Sequence, residues 1–133
     1  MPAAHKPLWL VVAVIDALCG LANLLLALGH LQGVFRKAFG GPEPFNYNFH
    51  FYSVVMVGVL VAAPGLVCLW QVRGLAHGER QSWKSALGAN LAVIAVNAPL
   101  LPFNDFPGVL IGCAAVNLIA LGITRGDFRA KPQ

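Results

Sequence analysis

The chain reads as an all-α integral membrane bundle of four transmembrane helices, antiparallel up-down, with both ends on the cytoplasmic side. Three observations predict this. Of 133 residues, 58% are hydrophobic and only 11% charged. With a mean hydropathy of +0.71, that is more apolar surface than a water-soluble core hides. Apolar stretches recur at the roughly 20-residue length that crosses hydrocarbon, and Lys and Arg are spread unevenly between them. The length suits one domain, residues 1–133.

The first span is expected over about 8–31. Lys6 followed by an apolar run imitates a signal peptide. The run is longer than a typical h-region and lacks an A-x-A exit, and Leu18 is too large to precede a lipoprotein cysteine, so the segment is expected to be retained. The second span is expected over about 49–72, with a kink at Pro64. Between these two, Gln32 to Asn48 forms the longest loop, where Val34, Phe35 and Phe39 with Arg36 and Lys37 suggest a short amphipathic turn on the membrane. The third and fourth spans are expected over about 83–103 and 106–124. The corner between them is Asn104-Asp105, flanked by Pro102 and Pro107, since proline disfavours helix in the residue before it.

Basic residues set the orientation. Lys6, then Arg73, Arg80 and Lys84, then Arg125, Arg129 and Lys131 fall on one side, against only Arg36 and Lys37 on the other. The richer side is cytoplasmic by the positive-inside rule. Trp9, Trp70 and Trp83 then lie at the cytoplasmic interface, and Phe35, Phe39, Phe45, Tyr47, Phe49, Tyr52, Phe103 and Phe106 crowd the outer one. The net charge of +4 therefore reflects topology. Without a basic stripe interleaved with aromatics, no nucleic-acid partner is expected.

Polar residues inside the spans recur at helical spacing. Asp16, Gly20, Asn23, Ala27 and His30 share one face of the first span. Asp16 lies seven residues from Trp9, Asn90 seven from Trp83, and Asn117 seven from Thr124, each about 10 Å inside the same boundary. One buried layer is expected, with Asp16 accepting from Asn90 and Asn117. In the second span the same depth, counted from Trp70, falls at Ala63-Pro64, where proline frees the carbonyl of Leu60. A thinner layer pairs Asn23 with Asn97, each fourteen residues from its tryptophan. Gly108-x-x-x-Gly112 offers a close-approach face in the fourth span, and Gly58, Ala62 and Gly65 in the second.

Asp16 is the one acidic residue within a span. Such groups default to a functional reading: a desolvated carboxyl exchanges protons or holds a cation, or it fixes helix register through amide partners. At the outer face His30, His50, Asn104 and Asp105 cluster, with Asn46 and Asn48 just outside. His30, His50 and Asp105 are weak metal candidates, and the two histidines equally a haem pair, without diagnostic spacing for either. Histidines at helix ends also simply cap carbonyls. Cys19, Cys68 and Cys113 are far apart, odd in number and without CxxC spacing, which argues against a disulfide framework or a zinc site. No GxSxG elbow, HExxH, Walker loop or CxxCH occurs, and no catalytic residue or cofactor is assigned.

Three functions fit these features. The first is a non-catalytic accessory or structural subunit of a larger membrane protein complex, whose partners are lipid and other membrane subunits or further copies of itself. The second is a homo-oligomeric small transporter or channel using Asp16. The third is a membrane-embedded metal or cofactor site at the outer face.

Overall fold

The computed structural model describes residues 6–40 and 49–128. Four α-helices follow one another: α1 (Lys6–Phe39), α2 (Phe49–Ala76), α3 (Arg80–Asn97) and α4 (Phe106–Ile123), with a 3-10 turn at Ala98–Leu100 after α3. Three are long and apolar enough to cross a membrane: α1 over Leu8–Gly33, α2 over Tyr52–Ala76, and α4 throughout. The third span is not among them. Its 18 residues include Gln81, Ser82, Lys84, Ser85 and two asparagines, and this polar content dilutes its apolar character.

The helix bounds differ from the expected spans in three places. α1 does not stop near residue 31 but runs on to Phe39, about 51 Å in all. The segment expected to form a separate surface turn is thus the last part of one long helix, where Phe35 and Phe39 stack at 6.0 Å and the Gly40 amide bonds the Arg36 carbonyl. α2 passes through Pro64 and continues beyond residue 72 to Ala76. α3 ends at Asn97 rather than residue 103, because Pro99 has no N–H to give the carbonyl four residues back. The chain turns from there, through amides of Leu101, Phe103 and Asn104 bonded to the Ala98 and Leu100 carbonyls. α4 begins where the Asn104 side-chain oxygen accepts from the Phe106 amide at 3.0 Å, with Pro107 in its first turn, where no donor is needed.

The α2–α3 connection is a Schellman turn. Gly78 takes φ +71°, its amide bonds the Leu75 carbonyl, and the Glu79 amide bonds the Gly74 carbonyl. The turn is closed from outside by the Trp9 ring, which lies against Gly78.

In cross-section the helices form a ring in chain order. α1 packs on α2 and α4, and α3 on α2 and α4, while α1 and α3 meet only across the diagonal. α1 and α2 cross at Gly20 and Gly65, where a Cβ on either residue would stand within 3 Å of the other's carbonyl oxygen. The apolar core divides into two clusters. One gathers Val61, Val93, Leu110 and Ala114 around Cys19 and Cys68. The other gathers Val12, Leu75, Ala86 and Leu121 under Phe128, whose ring faces Trp9 at 6.0 Å. Leu18, Leu25 and Leu28 of α1, Met56 and Leu66 of α2, and Val109, Ile119 and Ile123 of α4 are more than half exposed. The described bundle is thus largely apolar outside with polar groups in its centre, a polarity that suits lipid as solvent.

Candidate functional site

The centre of the bundle is built on Asp16. Being on α1's inward face, its side chain is wholly buried and meets one amide from each of the other three helices. Asn90 of α3 and Asn117 of α4 donate to Oδ1 at 2.7 and 2.8 Å. Gln71 of α2 donates to Oδ2 at 2.9 Å. Cys68 is buried as well. All three amide partners are neutral. Hydrogen bonds can stabilise a buried carboxylate, yet no countercharge meets this one among the described residues.

Gln71 was not among the residues the sequence singled out. Counting depth from Trp70 placed Ala63-Pro64 and the Leu60 carbonyl at this level, and the structure corrects this. Leu60 is about half exposed, and Gly65 lies opposite Gly20 and Asn23, one to two turns farther along α1 than Asp16. Trp70 is 90% exposed with six further helical residues after it, so it does not mark a helix end as Trp9 does. The missed signal was a Gln inside an otherwise apolar stretch, directly before Val72-Arg73.

Two turns farther in, Asn97 donates to Asn23 Oδ1 at 3.0 Å. Asn23, Asn90 and Asn97 each also return a bond to a carbonyl of their own helix, at Cys19, Ala86 and Val93 respectively, within 2.8–2.9 Å. These amide donors are doubly used, but several acceptors are not used at all. The side-chain oxygens of Gln71, Asn90, Asn97 and Asn117 are buried without a partner, although buried polar atoms are usually paired.

The cysteines, remote in sequence, converge beside this layer. Cys19 and Cys68 lie in one buried cluster with Cys113 packed against it, and all three are free thiols. Sequence separation concealed this because adjacent antiparallel helices bring distant residues to one level. The Gly108-x-x-x-Gly112 face, by contrast, makes no close helix approach among the described residues. A Cβ at Gly112 would meet nothing within 4 Å, and one at Gly108 only the Leu101 side chain at 3.4 Å.

At the opposite end of α1 the expected histidine cluster lies partly outside the described residues. His30 is partly buried with Nε2 unpartnered, Asn104 caps α4, and Asp105 is exposed. Asn46, Asn48 and the His50 side chain lie outside the described residues, as do Phe45 and Tyr47. Of the aromatic rim, Tyr52 and Phe103 are exposed.

A groove of about 870 Å³ opens at the α2–α3 turn. Trp9, Trp70, Arg73, Glu79 and Asp127 stand on its walls, and Gln71 is part of its lining. The Asp16 layer is therefore one side chain away from the groove. Trp83 closes the neighbouring α3–α4 seam by donating its indole N–H to the Leu121 carbonyl at 2.9 Å.

No protein-family model matches the chain, nor does any curated protein or solved structure.

Proposed function

We propose that the chain is a four-span integral membrane protein, with both termini cytoplasmic, acting as a non-catalytic accessory or structural subunit of a larger membrane protein complex. One observation carries this reading: the single buried carboxyl among the described residues is engaged by an amide from every other helix. A group committed to holding four helices in register is built for a rigid scaffold. The open Gly112 flank of α4, bordered by exposed Val109, Val116 and Ile119, offers a partner helix close approach. α3 crosses as the least apolar span, its asparagines turned inward toward Asp16 and Asn23. Purification in mild detergent, followed by mass spectrometry of what accompanies the chain, tests the proposal. Larger membrane proteins in fixed ratio are expected, and a chain that purifies only with itself overturns it.

A second reading, a homo-oligomeric transporter or channel using Asp16, draws support from the groove that reaches Gln71. It requires that Asp16→Asn abolish pH-dependent flux in liposomes. Unchanged flux removes Asp16 from any pathway.

A further inference from the structure

We infer that the Asp16 layer is a binding site for a dehydrated monovalent alkali cation, entered from the groove past Gln71. The inference requires neither the accessory role nor transport, since binding alone is what its test reads.

The argument begins with charge. An ionised carboxyl in a bundle surrounded by hydrocarbon needs a countercharge or a proton. Among the described residues the hydrogen bonds to Asp16 come only from neutral groups: Gln71, Asn90 and Asn117. Register alone would be served by amides bonded to one another, as Asn97 is to Asn23, where one oxygen, Asn97 Oδ1, is left over rather than three.

The second step is the oxygen count. Each amide nitrogen touching Asp16 belongs to a side chain whose own oxygen is buried and unpartnered. A proton on Asp16 turns one carboxyl oxygen into a single donor, which satisfies one of these three acceptors at most. A hard cation is bound by several oxygens at once, and half a turn of a terminal amide exchanges its nitrogen for its oxygen. Asp16 with the oxygens of Gln71 and Asn117, whose nitrogens bond only the carboxyl, makes an all-oxygen set bearing one negative charge, while Asn90 stays held by the Ala86 carbonyl. That set neutralises a monovalent ion, whereas a divalent ion would leave net charge buried. The thiols of Cys19, Cys68 and Cys113 lie alongside, but soft ligands contribute little to alkali ions.

The third step is access. Gln71 is only 3% exposed, yet it lines the groove and holds Asp16 Oδ2, so one side-chain rotation joins groove to site.

The test is the thermal stability of the purified full chain in uncharged detergent, titrated with NaCl, LiCl or KCl against choline chloride at constant ionic strength. A ligand that binds only the folded state raises Tm saturably. The expected result is a rise of about 5 °C or more with at least one alkali cation over choline. It should be lost in Asp16→Asn and kept in Asn97→Ala, which disturbs only the inner layer. Because the wild-type comparison needs no variant, it decides even if Asp16→Asn fails to fold. Equal Tm in all four salts overturns the inference, as does an alkali response that persists in Asp16→Asn.

Discussion

Asp16 of α1 and Asn90 of α3 lie 74 residues apart in sequence and 2.7 Å apart in space. Asn23 and Asn97, at the same separation, meet at 3.0 Å. The equal offset means that α1 and α3 run parallel and in register across the bundle diagonal, so their contact rests on polar side chains rather than on packed apolar faces.

Removing the carboxyl should therefore loosen the whole bundle. Asp16→Ala strands the amides of Gln71, Asn90 and Asn117 and leaves a cavity. With side-chain bonds in membrane proteins each contributing roughly 0.6 kcal/mol and at most about 1.7, a loss of about 2–4 kcal/mol is expected. Asp16→Asn keeps one acceptor oxygen for Asn90 and Asn117, and about 1 kcal/mol should be lost. Unfolding in mixed SDS micelles measures both. Equal losses would mean that the carbonyl-like oxygen carries none of the layer.

The inner pair is suited to a double-mutant cycle. Asn23→Ala and Asn97→Ala should each destabilise, and their coupling should fall at about 0.5–1.5 kcal/mol. The same single variants combined with Asn117→Ala, one layer away, should be nearly additive. Coupling of the same size in both combinations would merge the two layers into one network.

Much of this centre was legible in the sequence because three helices carry comparable end markers. Trp9, Trp83 and Thr124 each sit near a helix end at the same face of the bundle, and seven residues inward from each lies a member of the layer. The count failed for α2, where Trp70 is an exposed residue within the helix and not at its end. Periodicity could not choose the inward face there either, since α2 is apolar on nearly every side. Convergence of the three cysteines depends on helix rotation, which hydropathy does not encode. The reach of α1 to Phe39 was hidden by Arg36 and Lys37, which look like the edge of a span but are compatible with helix outside the hydrocarbon.

Glycines separate internal from external contact. Gly20→Ala and Gly65→Ala each place a methyl within 3 Å of a backbone carbonyl, so the helices must part, and a loss of about 1–3 kcal/mol is expected. Gly112→Ala meets nothing within 4 Å and gains helix propensity of up to about 1 kcal/mol, so the isolated chain should be unchanged or firmer. If α4 docks a partner along this flank, Gly112→Ile should reduce co-purification while leaving unfolding of the isolated chain unaffected. A Gly112→Ala variant as unstable as Gly65→Ala would contradict the packing described.

The α2–α3 turn supplies the last prediction. Gly78 occupies the left-handed region at φ +71°, which costs a residue with a Cβ about 1–2 kcal/mol. A methyl there would also meet the Trp9 ring at 2.7 Å. Trp9 is fixed on its other side by Phe128, itself only 3% exposed, so the ring cannot yield freely. Gly78→Ala should then destabilise by about 2–3 kcal/mol, more than backbone conformation alone accounts for. Pairing it with Trp9→Leu should recover the steric part and leave the conformational part, a separation that thermal unfolding of the four proteins of the cycle measures. No recovery in the double variant would place the whole cost in the turn and remove Trp9 as its clamp.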